Sequence, residues 1–169
     1  MTLFLDTEWA DVFASELVSL ALVSRNERFV FYAERHPLPE KPTDFVHSVV
    51  YPLLKWGDTA MHDPVFAARL QQFIADVAEA TGEKPTIAYD YWADRSLFEH
   101  ADEGFERDGP VQPPVEYFDL NELSPDYAVG YQAYFSRDPQ LAASRHNALT
   151  DAHAARNGYL GAIFGQATR

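Results

Sequence analysis

Asp6 and Glu8 stand two residues apart in the stretch FLDTEW. In an extended strand that spacing puts both side chains on one face. Two carboxylates held close together in an apolar segment cannot both ionise unaided, so one keeps a proton or a cation lies between them. Hard oxygen donors of this kind suit Mg²⁺ or Mn²⁺. The alternative is a strand end where both acids meet solvent. A second acidic pair, Asp90 and Asp94, falls in YDYWADRSLF. Leu97 and Phe98 can anchor a short helix there, which leaves Asp94 either facing a cleft or capping that helix. Asp90, nearest the preceding strand, reads as a cap alone. The third group is RHNALTDAHAAR, with His146 just ahead of a helix and Asp151 in its first turns. Asn147, Asp151 and Ala155 recur at four-residue steps beside Ala148 and Ala152, so Asp151 is expected at the margin of a closely packed face. His146, expected to lie open to solvent, is either a cap or a base with an imidazole able to accept a proton near neutrality.

These residues need a scaffold. TLFLDTEW (2–9), ELVSLALVS (16–24) and ERFVFYAE (27–34) read as strands, the second apolar enough to be covered on both faces. Their short connections suit antiparallel neighbours and no crossover helix. RHPLPEKP (35–42) is a break with three prolines, and TDFVHSVVYPLL reads as a short Thr/Asp-capped helix interrupted near Pro52. A clearer helix covers 62–82, with Asp63 as N-cap, Pro64 in the first turn and Gly82 as the stop. Strands are expected at 84–90 and 115–120, and DGPVQPPV reads as a connector before the latter. A final helix is expected from about 147 to 164, ended by Gly165. Asp119 reads as a strand end outside any metal site. His36, His47, His62, His100 and His153 show no metal-ligand spacing. The whole predicts one α/β domain over residues 1–169: a mixed β-sheet of three leading antiparallel strands plus later strands, flanked by helices on both faces.

Composition limits the chemistry. With no cysteine among 169 residues, thiolate catalysis and disulfides are excluded, and metal ligands must be oxygen or imidazole. Thirteen Lys and Arg against 26 Asp and Glu give a net charge of −13, which disfavours binding to a long polyanion. No apolar run reaches the ~18 residues of a membrane span. Asp6 and Glu8 interrupt any signal-peptide pattern at the start, so a cytoplasmic protein is expected.

Taken in order, FLDTEW, DRSLF and HNALTD resemble the DEDDh family of 3′–5′ exonucleases, which share an RNase H-like fold. Asp6 and Glu8 match its first motif, Asp94 its second, and His146 with Asp151 its third, with Ala148 at that motif's small position. The wording DTEW…ELVSLALVS looks most like small bacterial stand-alone 3′–5′ exoribonucleases. It looks less like oligoribonuclease, RNase T or the proofreading subunits of polymerases. Trp9 departs from the pattern where many relatives have a smaller residue, as does the acidity of the chain. The resemblance implies release of nucleoside 5′-monophosphates from the 3′ ends of RNA or short oligonucleotides by two Mg²⁺ or Mn²⁺ ions. Asp6 would bridge the ions, Glu8 and Asp151 would complete the first site, Asp94 would help hold the second, and His146 would be the base. It also leaves a homodimer open.

Trp9, Phe13, Tyr91 and Trp92 flank these acids and can be core residues or stacking platforms for bases, Trp9 foremost. Arg145 can contact phosphate or simply start a helix. Three other readings stand beside the exoribonuclease: a DNA-directed 3′–5′ exonuclease, a non-catalytic metal-binding or scaffolding module with the same fold, and a two-carboxylate glycosidase. The last leaves His146 without a role.

Overall fold

A computed structural model of the chain describes residues 1–105, 114–123 and 125–165. Six strands form one sheet: β1 (Thr2–Trp9), β2 (Leu17–Ser24), β3 (Val30–Arg35), β4 (Ala60–Met61), β5 (Thr86–Tyr89) and β6 (Glu116–Asp119). Their spatial order is β4-β3-β2-β1-β5-β6. β1, β2 and β3 pair antiparallel as expected, while β5 and β6 join β1's other side in parallel. β2 is buried along its whole length, in keeping with its unbroken apolar run.

The period-2 alternation of β1 separates two cores. Leu3 and Leu5 face one side, where Phe66, Leu70 and Ile74 of α1 (Asp63–Thr81) and Phe98 of α2 (Trp92–Asp102) cover them. Each such fully buried side chain contributes about 1.5–3 kcal/mol relative to exposure. Phe4 faces the other side, against Tyr127 of α3 (Asp126–Phe135) and Ala155 and Ala162 of α5 (Ala148–Gly165). Ala148 and Ala152 of α5 pack on Ala21 and Val23 of β2. Alanines at these positions let α5 lie close over the middle of the sheet. Helices therefore flank both faces.

Several boundaries differ from the sequence reading. β3 starts at Val30 rather than Glu27, because Glu27 takes a left-handed φ of 59° and the turn before β3 closes through Ser24 and Asn26 side chains. Asp63 does not cap α1: His62 is the N-cap, and the Asp63 carboxylate is held by Arg35 Nε and Nη2 at 2.7 and 2.8 Å. Gly82 ends the helix as expected, in a left-handed conformation with its N–H on the Ala78 carbonyl. The segment capped by Thr43 is a π turn (Val46–Val50) running into a 3₁₀ turn (Tyr51–Leu53) that contains Pro52. α5 is described over Ala148–Gly165, within a residue of the expected bounds. α3, the short α4 (Pro139–Ala143) and β4 were not expected. Residues 108–113 of the DGPVQPPV connector lie outside the described residues. Among the described residues no helix is long and apolar enough to cross a membrane.

Candidate metal-dependent active site

Asp6, Glu8, Asp94, His146 and Asp151 border one cleft of about 360 Å³. Each arrives by a different local device. Asp6 and Glu8 continue the Phe4 face of β1, the face α5 covers, and the register breaks between Glu8 and Trp9 as the strand ends. Thr7 points the other way, towards α2. Its N–H and its hydroxyl both donate to Asp94 Oδ1, at 3.0 and 2.7 Å. Asp94 is therefore no helix cap: it lies in the first turn of α2 with its carboxylate tied to β1, 3% exposed. Asp151, in the first turn of α5, accepts the His146 backbone N–H on Oδ2 at 3.1 Å. Asn147 fixes the start of α5 by donating to the Tyr32 hydroxyl and the Leu53 carbonyl.

His146 is half-buried, not open to solvent. Its φ of 71° is left-handed, and its ring stands edge-on to Phe45, 5.0 Å between centroids at 89°. Burial and the adjacent Arg145 hold its pKa below the ordinary imidazole value, which keeps it neutral at physiological pH. The acids shift in the opposite sense. Burial, then the charges of Asp151 and Asp94, push Asp6 and Glu8 well above the usual carboxylate range. Burial raises Asp94 and Asp151 to about 7.

Two carboxylate oxygens in this cluster, Asp6 Oδ2 and Asp151 Oδ1, are buried with no hydrogen-bond partner. Orphaned buried oxygens carry a free-energy penalty that a cation removes. Glu8, His146 and Asp151 each present a ligand atom within 4.8 Å of the others, close enough to hold a metal ion. The donor set is carboxylate and imidazole, so the residues present fit a hard or borderline divalent cation.

Asp90 was read as a cap and is not one. Tyr91 is the N-cap of α2, and Asp90 Oδ2 instead accepts the Tyr127 hydroxyl at 2.7 Å at the edge of the cleft. Tyr131 also borders the cleft and escaped the sequence reading. A usable signal existed: Tyr127, Tyr131 and Phe135 recur every four residues, the stripe of a helix laid on α5. Among the aromatic candidates, Trp9 and Tyr91 reach the cleft and stack on each other at 5.8 Å and 13°. Phe13 and Trp92 are exposed outside its lining, and Phe45, which was not singled out, stands inside it. Arg145 also borders the cleft, its guanidinium over the Phe135 ring at 5.3 Å. Asp119 ends β6 and caps the following turn through the Asn121 N–H, as a strand-end residue should. No protein-family model and no curated protein sequence matches the chain.

Proposed function

We propose that this chain is a metal-dependent 3′–5′ exonuclease of the RNase H-like kind, acting on RNA or short oligonucleotides. The observation that carries the reading is the convergence of Asp6, Glu8, Asp94 and Asp151 on one cleft, with two buried oxygens unpartnered and the His146 imidazole beside them. The sheet, with three antiparallel leading strands and two parallel ones added, is compatible with that fold. Asp6, Glu8 and Asp151 would hold one Mg²⁺ or Mn²⁺ ion, and Asp6 with Asp94 a second. Such ions make water a nucleophile near neutral pH and offset charge on the scissile phosphate. His146 accepts a proton from the attacking water, for which its lowered pKa prepares it. Arg145 is placed to contact a phosphate oxygen. Thr7 fixes Asp94 so that its carboxylate does not reorient between turnovers.

The test is stepwise release of nucleoside monophosphates from a 5′-labelled strand in Mn²⁺. RNA, single-stranded DNA and dinucleotides should be assayed in parallel, and Asp6→Ala should abolish nearly all release. No hydrolysis of any substrate with Mg²⁺ or Mn²⁺ defeats the reading. A second reading is favoured by the closeness of Glu8, His146 and Asp151: His146 is itself a ligand, and the protein is a metal-binding module without catalysis. Calorimetric titration of His146→Ala with Mn²⁺ separates the two.

A further inference from the structure

The net charge of −13 is not spread evenly over the chain. Four exposed cations sit over aromatic rings: Arg145 over Phe135 at 5.3 Å, Arg137 over Tyr134 at 5.7 Å, Lys55 over Tyr32 at 5.0 Å and Arg25 over Phe164 at 5.6 Å. Among the described residues, none of the four pairs with a carboxylate. Side-chain contacts join them across one surface. Phe135 and Tyr134 adjoin at the end of α3, and Tyr134 stacks on His153 of α5 at 6.4 Å and 6°. Burial, with the charges of Arg156 and Lys55, outweighs Glu27 and holds the His153 imidazole below its ordinary pKa, so Lys55 stands near this surface too. Arg156, further along α5, donates from Nε to the Arg25 carbonyl at 2.7 Å. The strip starts at Arg145 on the border of the cleft and follows the outer side of α5 towards Phe164. From Ala148 to Phe164 that helix rises roughly 24 Å. Two acids interrupt the strip: Glu27, which meets His153 and Arg156, and Asp138, which caps α4 through the Gln140 N–H.

A cation held on a ring face keeps its place without committing its N–H donors to a carboxylate. Four such cations, with rings between them, match the alternation of phosphates and bases along an unpaired strand. Resting on the exonuclease reading, we propose that this strip is a backbone track, which holds about four phosphates of a single-stranded nucleic acid upstream of the cleft. Arg145, at the border of the cleft, is where the strand passes from the track to the acid cluster. The affinity for longer strands then comes from the outer side of α5, although the molecule as a whole is acidic.

Fluorescence anisotropy of 5′-labelled single-stranded RNA of 3 and 12 nucleotides, in EDTA to prevent hydrolysis, tests the track directly. At 50 mM KCl the 12-mer should bind at least about tenfold tighter than the 3-mer. Four phosphate contacts on a single strand give a salt slope near −2.8, so raising KCl from 50 to 200 mM should weaken 12-mer binding about fiftyfold. The double variant Lys55→Gln/Arg137→Gln removes two of the four contacts and should bring the slope to about −1.4. In Mn²⁺ the same variant should raise KM for the 12-mer about tenfold, with kcat and the KM of the 3-mer within about twofold of the parent. A parent slope no steeper than about −1.4, or a double variant that binds the 12-mer as the parent does, overturns the track. Hydrolysis in that case leaves the exonuclease reading standing. Polyglutamate that competes as well as RNA of equal charge makes the strip a general polyanion surface, which also overturns the proposal. Absence of hydrolysis with the binding and its slope intact defeats the exonuclease reading and leaves the strip as the nucleic-acid surface of a binding module.

Discussion

The left-handed backbone at His146, φ 71°, costs on the order of 1–3 kcal/mol for a residue that carries a Cβ. The conformation turns the chain so that the His146 N–H reaches Asp151 Oδ2 while its ring lies against Phe45. Replacing the imidazole should leave that backbone path and the four acids in place. His146→Ala is therefore expected to lower kcat by about 10²–10⁴-fold, the usual contribution of a general base, with Mn²⁺ affinity unchanged within about threefold. A loss of affinity of tenfold or more in calorimetry would make His146 a ligand instead. Asp102 supplies a prediction away from the site. At the last position of α2 it is 3% exposed, its Oδ1 has no partner, and burial raises its pKa to about 6. A pKa raised on folding gives stability that is complete below about pH 4 and is lost as pH rises through about 6. Asp102→Asn mimics the protonated acid. It should stabilise the fold at pH 8 by at most about 3 kcal/mol and change little at pH 4, as read from thermal melts at both pH values. That Asp6, Glu8, Asp94, His146 and Asp151 belong together at one cleft was legible because their order and short-range spacing survive in one dimension. Asp90 was misread because its partner, the Tyr127 hydroxyl, is 37 residues away on a helix the sequence had not revealed.

At the scale of elements, α3 and α5 meet through glycines as well as through the α5 alanines. A Cβ built on Gly158 would lie 2.7 Å from the Tyr127 ring and 2.8 Å from the Tyr127 carbonyl oxygen, and the latter is backbone that cannot swing aside. Gly158→Ala gains up to ~1 kcal/mol of helix propensity but forces the two helices apart. A net loss of about 1–3 kcal/mol is expected, measurable by denaturant unfolding. The same shift moves Tyr127 away from Asp90, so activity should fall more than stability alone explains. If Gly158→Ala is more stable than the parent, the packing account fails. The elements with strong local signals were readable: the apolar run of β2, the Gly82 stop of α1 and the alanine face of α5. Those set by tertiary partners were not. β4 is two residues that exist by pairing with Glu34 and Arg35 of β3. Asp63 pairs with Arg35 and leaves the N-cap position to His62. The N-cap of α3, Pro125, makes no side-chain cap hydrogen bond and Gly130 lies mid-helix, so the tyrosine stripe is the main local signal for this helix.

For the whole molecule, a net charge of −13 and a buried acid cluster act together, since like charges that repel across the surface are most costly where water is excluded. The scaffold tolerates the cluster because β1, α2 and α5 are each anchored by contacts outside it: Leu3 and Leu5 in one core, Phe98 beneath α2, and Ala148 and Ala152 on β2. A divalent cation that binds the folded cluster and has no comparable site in the unfolded chain must then stabilise the protein by mass action. At a free Mn²⁺ concentration 100 times its Kd the gain is about 2.7 kcal/mol, which for a domain of this size raises Tm by roughly 5–10 °C. The rise should follow the logarithm of the Mn²⁺ concentration, and the metal-free melt should return after EDTA treatment. Asp6→Asn keeps the side-chain volume and cannot ionise, so the metal-free variant should melt no lower than the parent while its Mn²⁺ response largely disappears. NaCl at matched ionic strength gives the contrast that decides the case. If NaCl raises Tm as much as Mn²⁺ does, the effect is general screening of an acidic chain, and the cluster is not a metal site.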